Sequence, residues 1–557
     1  MRLGMMHRDV SRRRCGFRSP EGCAYEQVWV RSGRREPGIR LLMSFQALAL
    51  DRSTDSAEAD PLNNWRQRME AQATYWKDYG KPEPGSVIVD PPTLESILDA
   101  DDEERAVPLK RRGDYRPEPR LIPYDRYLDP RYVPLEVEHI WNKQWQLACR
   151  EEDIPNVGDR TTYDVVDKSF LVVRTSATEI KAYYNSCRHR ARKLCSGKSN
   201  SKHIQCPFHG WVYGLDGKLE WIPLAQEFPH VDSEHNSLVP VNVATWGGNV
   251  FINPDPAAAP LEESLGILVD HFKNYPIEER YTAMRILIKV RCNWKAAQEA
   301  FMEGYHVVET HADGMPMFGS AATQIDIWKD GRGYVSRLCT PGMTTDAYIA
   351  DRVTPREGLV LYCHAQELPL PPEDRGLTAV DARRYAAESK RAQLEAQTGR
   401  DYSGEPVSYF IDMAKYFMFP NFHPWWGEGL PWWYNFTPIG DNPDHSLMEV
   451  RILLPIPANG ERPPVPEPIE LDFDEKASDR PELGAMGHII DQDLANMLAV
   501  QQGFKAAAPG TAYLTLANEH EAKIRHFYEL YDRLLGLDAQ ATTEPGAATA
   551  PIVPKHD

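Results

Sequence analysis

With 557 residues, of which 42% are hydrophobic and 26% charged, the chain has room for two or three domains and a sizeable core. Its net charge of −18 excludes a general nucleic-acid binder. No uninterrupted apolar run is long enough to span a bilayer, so no membrane partner is expected. Nine cysteines, an odd number, with Cys149, Cys292 and Cys339 in apolar or mixed contexts, fit metal-binding thiols in a reducing compartment, the cytoplasm by default.

The first forty residues break this pattern, with ten Arg, no Lys and four acids. Such a start can be read as a transit peptide, but it has no clean amphipathic run. An over-extended reading frame with the true start at Met43 fits better, so 1–42 is expected to lie outside the fold. Residues 43–124 read as a helix over Pro61–Lys81 and then a Pro-rich, charged arm that wraps a surface or a neighbour. Tyr132–Cys149 has Val137, Ile140, Trp141 and Trp145 at helical spacing. Alternating and β-branched stretches (FLVVRT, EIKAYYN, KLEWIP and VPVNVATWGGNVFINP) then predict a small β domain over 125–258. DPAAAPLEE marks a linker.

The second domain, 259–537, opens on a strand (280–291) that runs into a helix at NWKAAQEAFMEGYH. Strands follow at YFMFPNFHPWW, PWWYNFTPIG and HSLMEVRILLPIP, and helices at 483–503 and 518–535. Strands mixed with helices give an α+β class. Residues 372–401 are charged and helix-prone, read either as a lid or oligomer contact or as a solvated surface helix. The tail 538–557 is expected to be disordered. No G-x-G-x-x-G is present, so nothing marks a dinucleotide site of the chain's own.

The chemistry concentrates in NSCRHRARKLCSGKSNSKHIQCPFHGW, residues 185–211. Cys187 with His189, and Cys206 with His209, are two Cys-and-His pairs. Two thiolates can hold one iron of a [2Fe–2S] cluster and two imidazoles the other; the competing reading is a Cys₂His₂ zinc site. From Cys187 to Leu215 there is no acid, while Arg188, Arg190, Arg192, Lys193, Lys198 and Lys202 cluster. This is either a dock for an acidic ferredoxin or reductase or a merely solvated loop.

A second set stands as Glu303, His306 and His311. Positions 303 and 306 share a helix face, whereas 306 and 311 do not, so both imidazoles reach one metal only if the helix breaks after His306. Alone, the pair does not separate a metal site from two surface histidines.

CRHR and CPFHGW resemble the ligand loops of Rieske proteins. Together with the NWK-led helix they make the chain, over about 125–510, similar to the catalytic α subunit of Rieske non-haem iron ring-hydroxylating oxygenases. That resemblance implies a helix-grip, START-like catalytic domain and a Rieske cluster on Cys187, His189, Cys206 and His209. It also implies a mononuclear Fe(II) on His306, His311 and a carboxylate from HIIDQDLANMLAVQQG. The D-x-x-N-M register favours Asp493 over Asp491, and residues two apart on a helix face different ways. In the family, electrons pass from the cluster of one subunit to the iron of its neighbour within a trimer. Those roles fall on His209, Glu303 and His306.

Electrons are then expected from a separate ferredoxin and/or flavin reductase using NAD(P)H. The substrates are O₂ and a small, largely apolar, aromatic-type molecule, and ring dihydroxylation competes with monooxygenation or demethylation. A pure electron-transfer Rieske protein is the reading from another class. A β subunit is left open. Three positions depart from the family pattern: Glu303 where Asp is usual, Ala300 where an Asn is usual, and Ala191 where Gly usually follows CRHR. The aromatics of 417–426 and 432–436 read as pocket lining or, more simply, as sheet core.

Overall fold

The computed structural model describes residues 85–537, apart from 87, 89, 102, 373–375 and 509–510. The expected 1–42 segment, the Pro61–Lys81 helix and the 538–557 tail lie outside the described residues. The arm after residue 85 wraps this chain itself. Gly113 donates its N–H to Asp326, the Tyr115 hydroxyl donates to Glu529, and Arg120 and Arg126 both bond Asp532. Gly113 is required by close approach, because a Cβ there would lie 2.4 Å from the Ile327 nitrogen. The arm ends in β1 (Ile122–Pro123), which pairs antiparallel with Tyr513–Leu514 near the other end of the fold.

Tyr132–Cys149 is not one helix. An α-helical turn (Tyr132–Glu136) passes into a wider π-turn (Val137–Trp141), and the chain then extends as β2 (Gln146–Arg150). Tertiary pairing overrides the helical spacing there: the indole N–H of Trp145 donates to the Ala259 carbonyl, and β2 pairs with the strand Asn249–Asn253. The first sheet is antiparallel and continues with β3 (Asp159–Val165), β4 (Lys168–Arg174), β5 (Ile180–Tyr184) and β6 (Ser199–Asn200). A three-stranded tip follows: β7 (Ile204–Gln205), β8 (Val212–Tyr213) and β9 (Leu219–Trp221). The hairpin β10 (Pro240–Trp246) to β11 (Asn249–Asn253) closes the first sheet, whose order is β2-β11-β10-β5-β4-β3-β6.

The second sheet starts at β12 (Arg280–Val290) and takes in β13 (Gln324–Ile327) and β14 (Val335–Thr340). The stretch 416–426 is a hairpin, β15 (Met413–Met418) and β16 (Phe422–Trp426), and not a single strand. Then come β17 (Trp432–Pro438), β18 (Ser446–Pro455) and β19 (Ile469–Leu471). The order is β13-β14-β15-β16-β17-β18-β12-β19, and the β12–β19 pair is parallel.

Strand alternation sorts the side chains. One face carries Phe417, Trp425, Tyr434, Phe436 and Val450 into a core with α1 (Trp294–Glu299), α4 (Gly484–Ala506) and α5 (Ala522–Leu534). The other carries Ala414, Tyr416, Trp426 and Trp433 against α3 (Ala379–Thr398). That helix is the charged 372–401 segment, and it is not solvated all round. Ala382, Ala386 and Leu394 are buried, and so is Arg383, which bonds Asp101 and Asp412. A buried bridge joins the two sheets, Arg451 to Asp153 at 2.6 Å. Breaking such a pair typically costs about 3–5 kcal/mol, because one charge is left buried alone.

Candidate metal centres

The two ligand loops at the tip of the first domain share one backbone frame. In the first, the Cys187 N–H donates to the Arg192 carbonyl and the Ala191 N–H to the Cys187 carbonyl. In the second, the Cys206 N–H donates to the Trp211 carbonyl and the Gly210 N–H to the Cys206 carbonyl. Each loop closes through a residue with positive φ at the fourth position after Cys: Ala191 at 58° and Gly210 at 77°. Glycine takes that conformation freely and alanine pays about 1–2 kcal/mol for it. The absence of Gly at 191, which has no functional reading in the sequence, is therefore a backbone matter.

The frame brings the ligands together. Cys187 and Cys206 are buried side by side, burial holding the Cys187 thiol above its usual range. The His189 and His209 rings lie 4.6 Å apart. His189 stacks on Trp211, centroids 5.0 Å apart, and meets Phe228 edge-on. Its Nδ1 is buried with no hydrogen-bond partner, which fits a nitrogen that coordinates a metal. The four side chains do not converge on one point as a tetrahedral zinc requires. Among the described residues only His306, His311 and Asp493 do so. Two thiols on one side and two imidazoles on the other suit a binuclear cluster.

Sequence reasoning missed Tyr213. The Arg188 N–H donates to its hydroxyl at 3.0 Å, which leaves the hydroxyl hydrogen for Cys187 Sγ at 3.3 Å. The acid-free basic stretch is also less free than its sequence suggests. The fold brings Asp164 to Lys193 (2.9 Å) and Asp153 to Lys198 (3.0 Å). Arg190 lies over the exposed Phe208 ring.

The second set is built from distant elements. The NWK-led helix, α1, ends at Glu299, well before His306, so Glu303 and His306 are not on a common helix face. Phe301 and Met302 take three-residue turn bonds, and the Phe301 ring turns onto the sheet, 4.6 Å from Tyr434. The chain then folds back on itself. Glu303 Oε1 accepts from His306 Nδ1 at 2.5 Å, and its Oε2 accepts from the His306 and Tyr305 backbone N–H groups. His306 and His311 bracket the short helix α2 (Val307–Thr310).

Asp493 comes from α4, with Oδ1 2.9 Å from His311 Nε2 and 3.7 Å from His306 Nε2. Asp491 instead accepts from the Ala477 and Ser478 backbone N–H groups. Asn496 Nδ2 donates to the Thr310 hydroxyl and ties α4 to α2. With Nδ1–H of His306 given to Glu303 and Nδ1–H of His311 to Gln492 (2.9 Å), the two Nε2 lone pairs face a carboxylate oxygen. Three electron-pair donors within 4.8 Å of one another could hold a metal ion, and the set suits Fe(II) with open positions.

Lys415 of β15 was also missed. It is buried beside Phe301 and Trp425; burial pushes its ammonium down to about 8, and Glu303 and Asp493 pull the other way.

A Cys₂His₂ loop pair ahead of a two-imidazole, one-carboxylate cluster backed by an antiparallel sheet defines a chain with two iron centres. Residues 144–241 match the Rieske [2Fe-2S] domain family, and residues 272–537 match the ring hydroxylating alpha subunit catalytic domain. The carnitine monooxygenase oxygenase subunit of Escherichia coli K12 is 31% identical over 193 residues, 34% of this chain and 52% of that protein. The chlorobenzene dioxygenase subunit alpha of Cupriavidus sp. PS12 is 34% identical over 209 residues, 36% of this chain and 45% of that protein. The chain thus spans about half the length of the curated relatives it matches. A solved quaternary ammonium Rieske monooxygenase shares the fold at TM-score 0.53 and 18% identity, over 74% of this chain and 95% of that one. The chain belongs to the Rieske oxygenase α-subunit family, with a Rieske domain followed by a mononuclear-iron catalytic domain.

Among the described residues no helix is long and apolar enough to cross a membrane, and all seven cysteines are free.

Proposed function

We propose that the protein is the terminal oxygenase component of a multicomponent system, inserting oxygen from O₂ into a small, largely apolar organic substrate. The observation that carries this reading is the convergence of His306, His311 and Asp493, which a pure electron carrier does not need. When bound, the two centres supply stored electrons and O₂ activation.

The chain's own residues do the rest. Cys187, Cys206, His189 and His209 hold the cluster, and Tyr213 donates to a cluster thiolate. Glu303 takes the Nδ1 proton of His306, which fixes the ring's tautomer and aims Nε2 at the iron position. Gln492 does the same for His311. Phe301, Trp425 and Tyr434 keep water from one wall of the site.

Glu303 is also the carboxylate proposed to link His306 to His209 of a neighbouring subunit in a trimer. The solved relative is described in terms of inter-subunit electron transfer, which supports this route. Electrons come from a separate ferredoxin or flavin reductase. Arg188, Arg190 and Lys202 are better placed to meet it than Lys193 and Lys198, which are already paired. The free cysteines support a reducing, cytoplasmic setting.

Relatives include both a monooxygenase and a dioxygenase subunit, so the outcome of the reaction is read from the product. Turnover under ¹⁸O₂ with a surrogate reductase places one labelled oxygen in a monooxygenation product and two in a dihydroxylated one. Reductant consumed with no labelled product from any of a broad set of apolar substrates contradicts the reading.

A further inference from the structure

Lys415 has no partner that accounts for its burial. The residue is 7% exposed, and its Nζ makes no ion pair and no hydrogen bond with any described residue. It faces two rings, 5.3 Å from the Phe301 centroid and 5.1 Å from that of Trp425. Tyr434 continues this wall, 4.6 Å from Phe301 and 6.0 Å from Trp425. A second lysine lies behind it: Lys523, fully buried, donates its Nζ to the Lys415 carbonyl at 3.3 Å, and burial pushes its ammonium well below the usual range.

The carboxylates near enough to act on Lys415 are Glu303 and Asp493. Both are engaged, Glu303 with His306 and two backbone N–H groups, Asp493 with the two imidazoles. Asp493 would hold a metal, and its charge would then be shared with that ion and less available to Lys415. The side chain is mostly buried while its Nζ keeps some accessible surface and no ion pair, so an anion that joins it there is stabilising.

We propose that Lys415 is a specificity residue, and that the substrate is an apolar body carrying a carboxylate which pairs with its ammonium beside the iron site. This inference rests on the oxygenase reading and names the substrate class within it. On this reading a simple quaternary ammonium is disfavoured, because the Phe301 and Trp425 faces that would hold such a cation already hold the chain's own.

The test uses the metal-loaded full chain. Dissociation constants are measured by calorimetry for phenylacetate and 2-naphthylacetate, their amides, and phenyltrimethylammonium, on wild type, Lys415→Met and Lys415→Arg. The acids are expected to bind at least tenfold more tightly than the amides, and phenyltrimethylammonium more weakly than either. Lys415→Met is expected to erase the acid preference while leaving amide binding within a few-fold, and Lys415→Arg to retain it. Equal binding of acid and amide in wild type, tighter binding of the ammonium, no binding of either acid, or a preference that survives Lys415→Met would overturn the proposal. Iron content of the same samples separates the two failures. A chain without mononuclear iron fails the oxygenase reading, whereas a loaded chain without acid preference fails this inference alone.

Discussion

The two proposed metal centres of this chain are built in opposite ways. The cluster site comes from one continuous stretch, Cys187 to His209, whose two loops repeat the same pair of backbone bonds around each cysteine. The iron site comes from a broken helix at 303–311 and a long helix almost two hundred residues later, joined by Asn496 and Thr310. The first is organised by local backbone geometry, and its cost is local strain. The second is organised by buried polar contacts, and its cost is desolvation. Substitutions should therefore act on the first through loop conformation and cluster potential, and on the second through charge.

The largest effect is expected at the root of the iron-bearing segment. Glu299 closes α1, accepts from the Tyr127 and Tyr528 hydroxyls, and burial raises its pKa from 4.5 to about 7. A carboxyl raised in the folded state costs stability as pH climbs from 4.5 toward 7, because the unfolded chain gives up that proton first. Stability should fall by up to about 3 kcal/mol across that window. Glu299→Gln should flatten the profile, and an unchanged slope in chemical denaturation would count against the burial account.

Next is Glu303→Gln, which keeps a hydrogen-bond acceptor but removes the charge on His306. Both metals should remain bound while coupled turnover drops about a hundredfold. Wild-type turnover in that variant would remove Glu303 from the electron route. On the cluster side, Tyr213→Phe deletes one donor to Cys187 and should lower the reduction potential by about 40 mV, the equivalent of about 1 kcal/mol in a one-electron couple. Voltammetry showing no shift would mean that the hydroxyl does not serve the sulfur. The smallest effect is Ala191→Gly, which relieves the positive φ. It should stabilise the loop by about 0.5–1 kcal/mol and raise the temperature at which the cluster absorbance bleaches. A lower bleaching temperature would contradict the strain.

Legibility in the sequence follows the same division. The Cys-and-His pairs proposed as cluster ligands and the β hairpins around them could be read directly, because spacing within a short loop is geometry. The mixed sheet and its two C-terminal helices were legible as patterns of alternation and periodicity. The helix break was not. Its place, before His306, is set by Phe301 finding Tyr434 and Phe436 on a sheet that forms much later in the chain. Likewise β2 looked helical, because Trp141 and Trp145 keep helical spacing while pairing with β11 decides the conformation. The choice of Asp493 over Asp491 came from family resemblance, and the structure gives each carboxylate a different set of partners. Lys415, Gln492 and Tyr213 carried no motif. A lysine in the middle of an aromatic strand was the one available signal of something unusual at that wall.

The central claim is that one chain holds a cluster and a separate single iron. The most direct measurement is iron and acid-labile sulfide per chain, with EPR of the dithionite-reduced protein, on wild type and His306→Ala. The account predicts three irons and two sulfides in the wild type, and two irons with an unaltered Rieske signal in the variant. Two irons in both proteins would contradict it and leave an electron carrier.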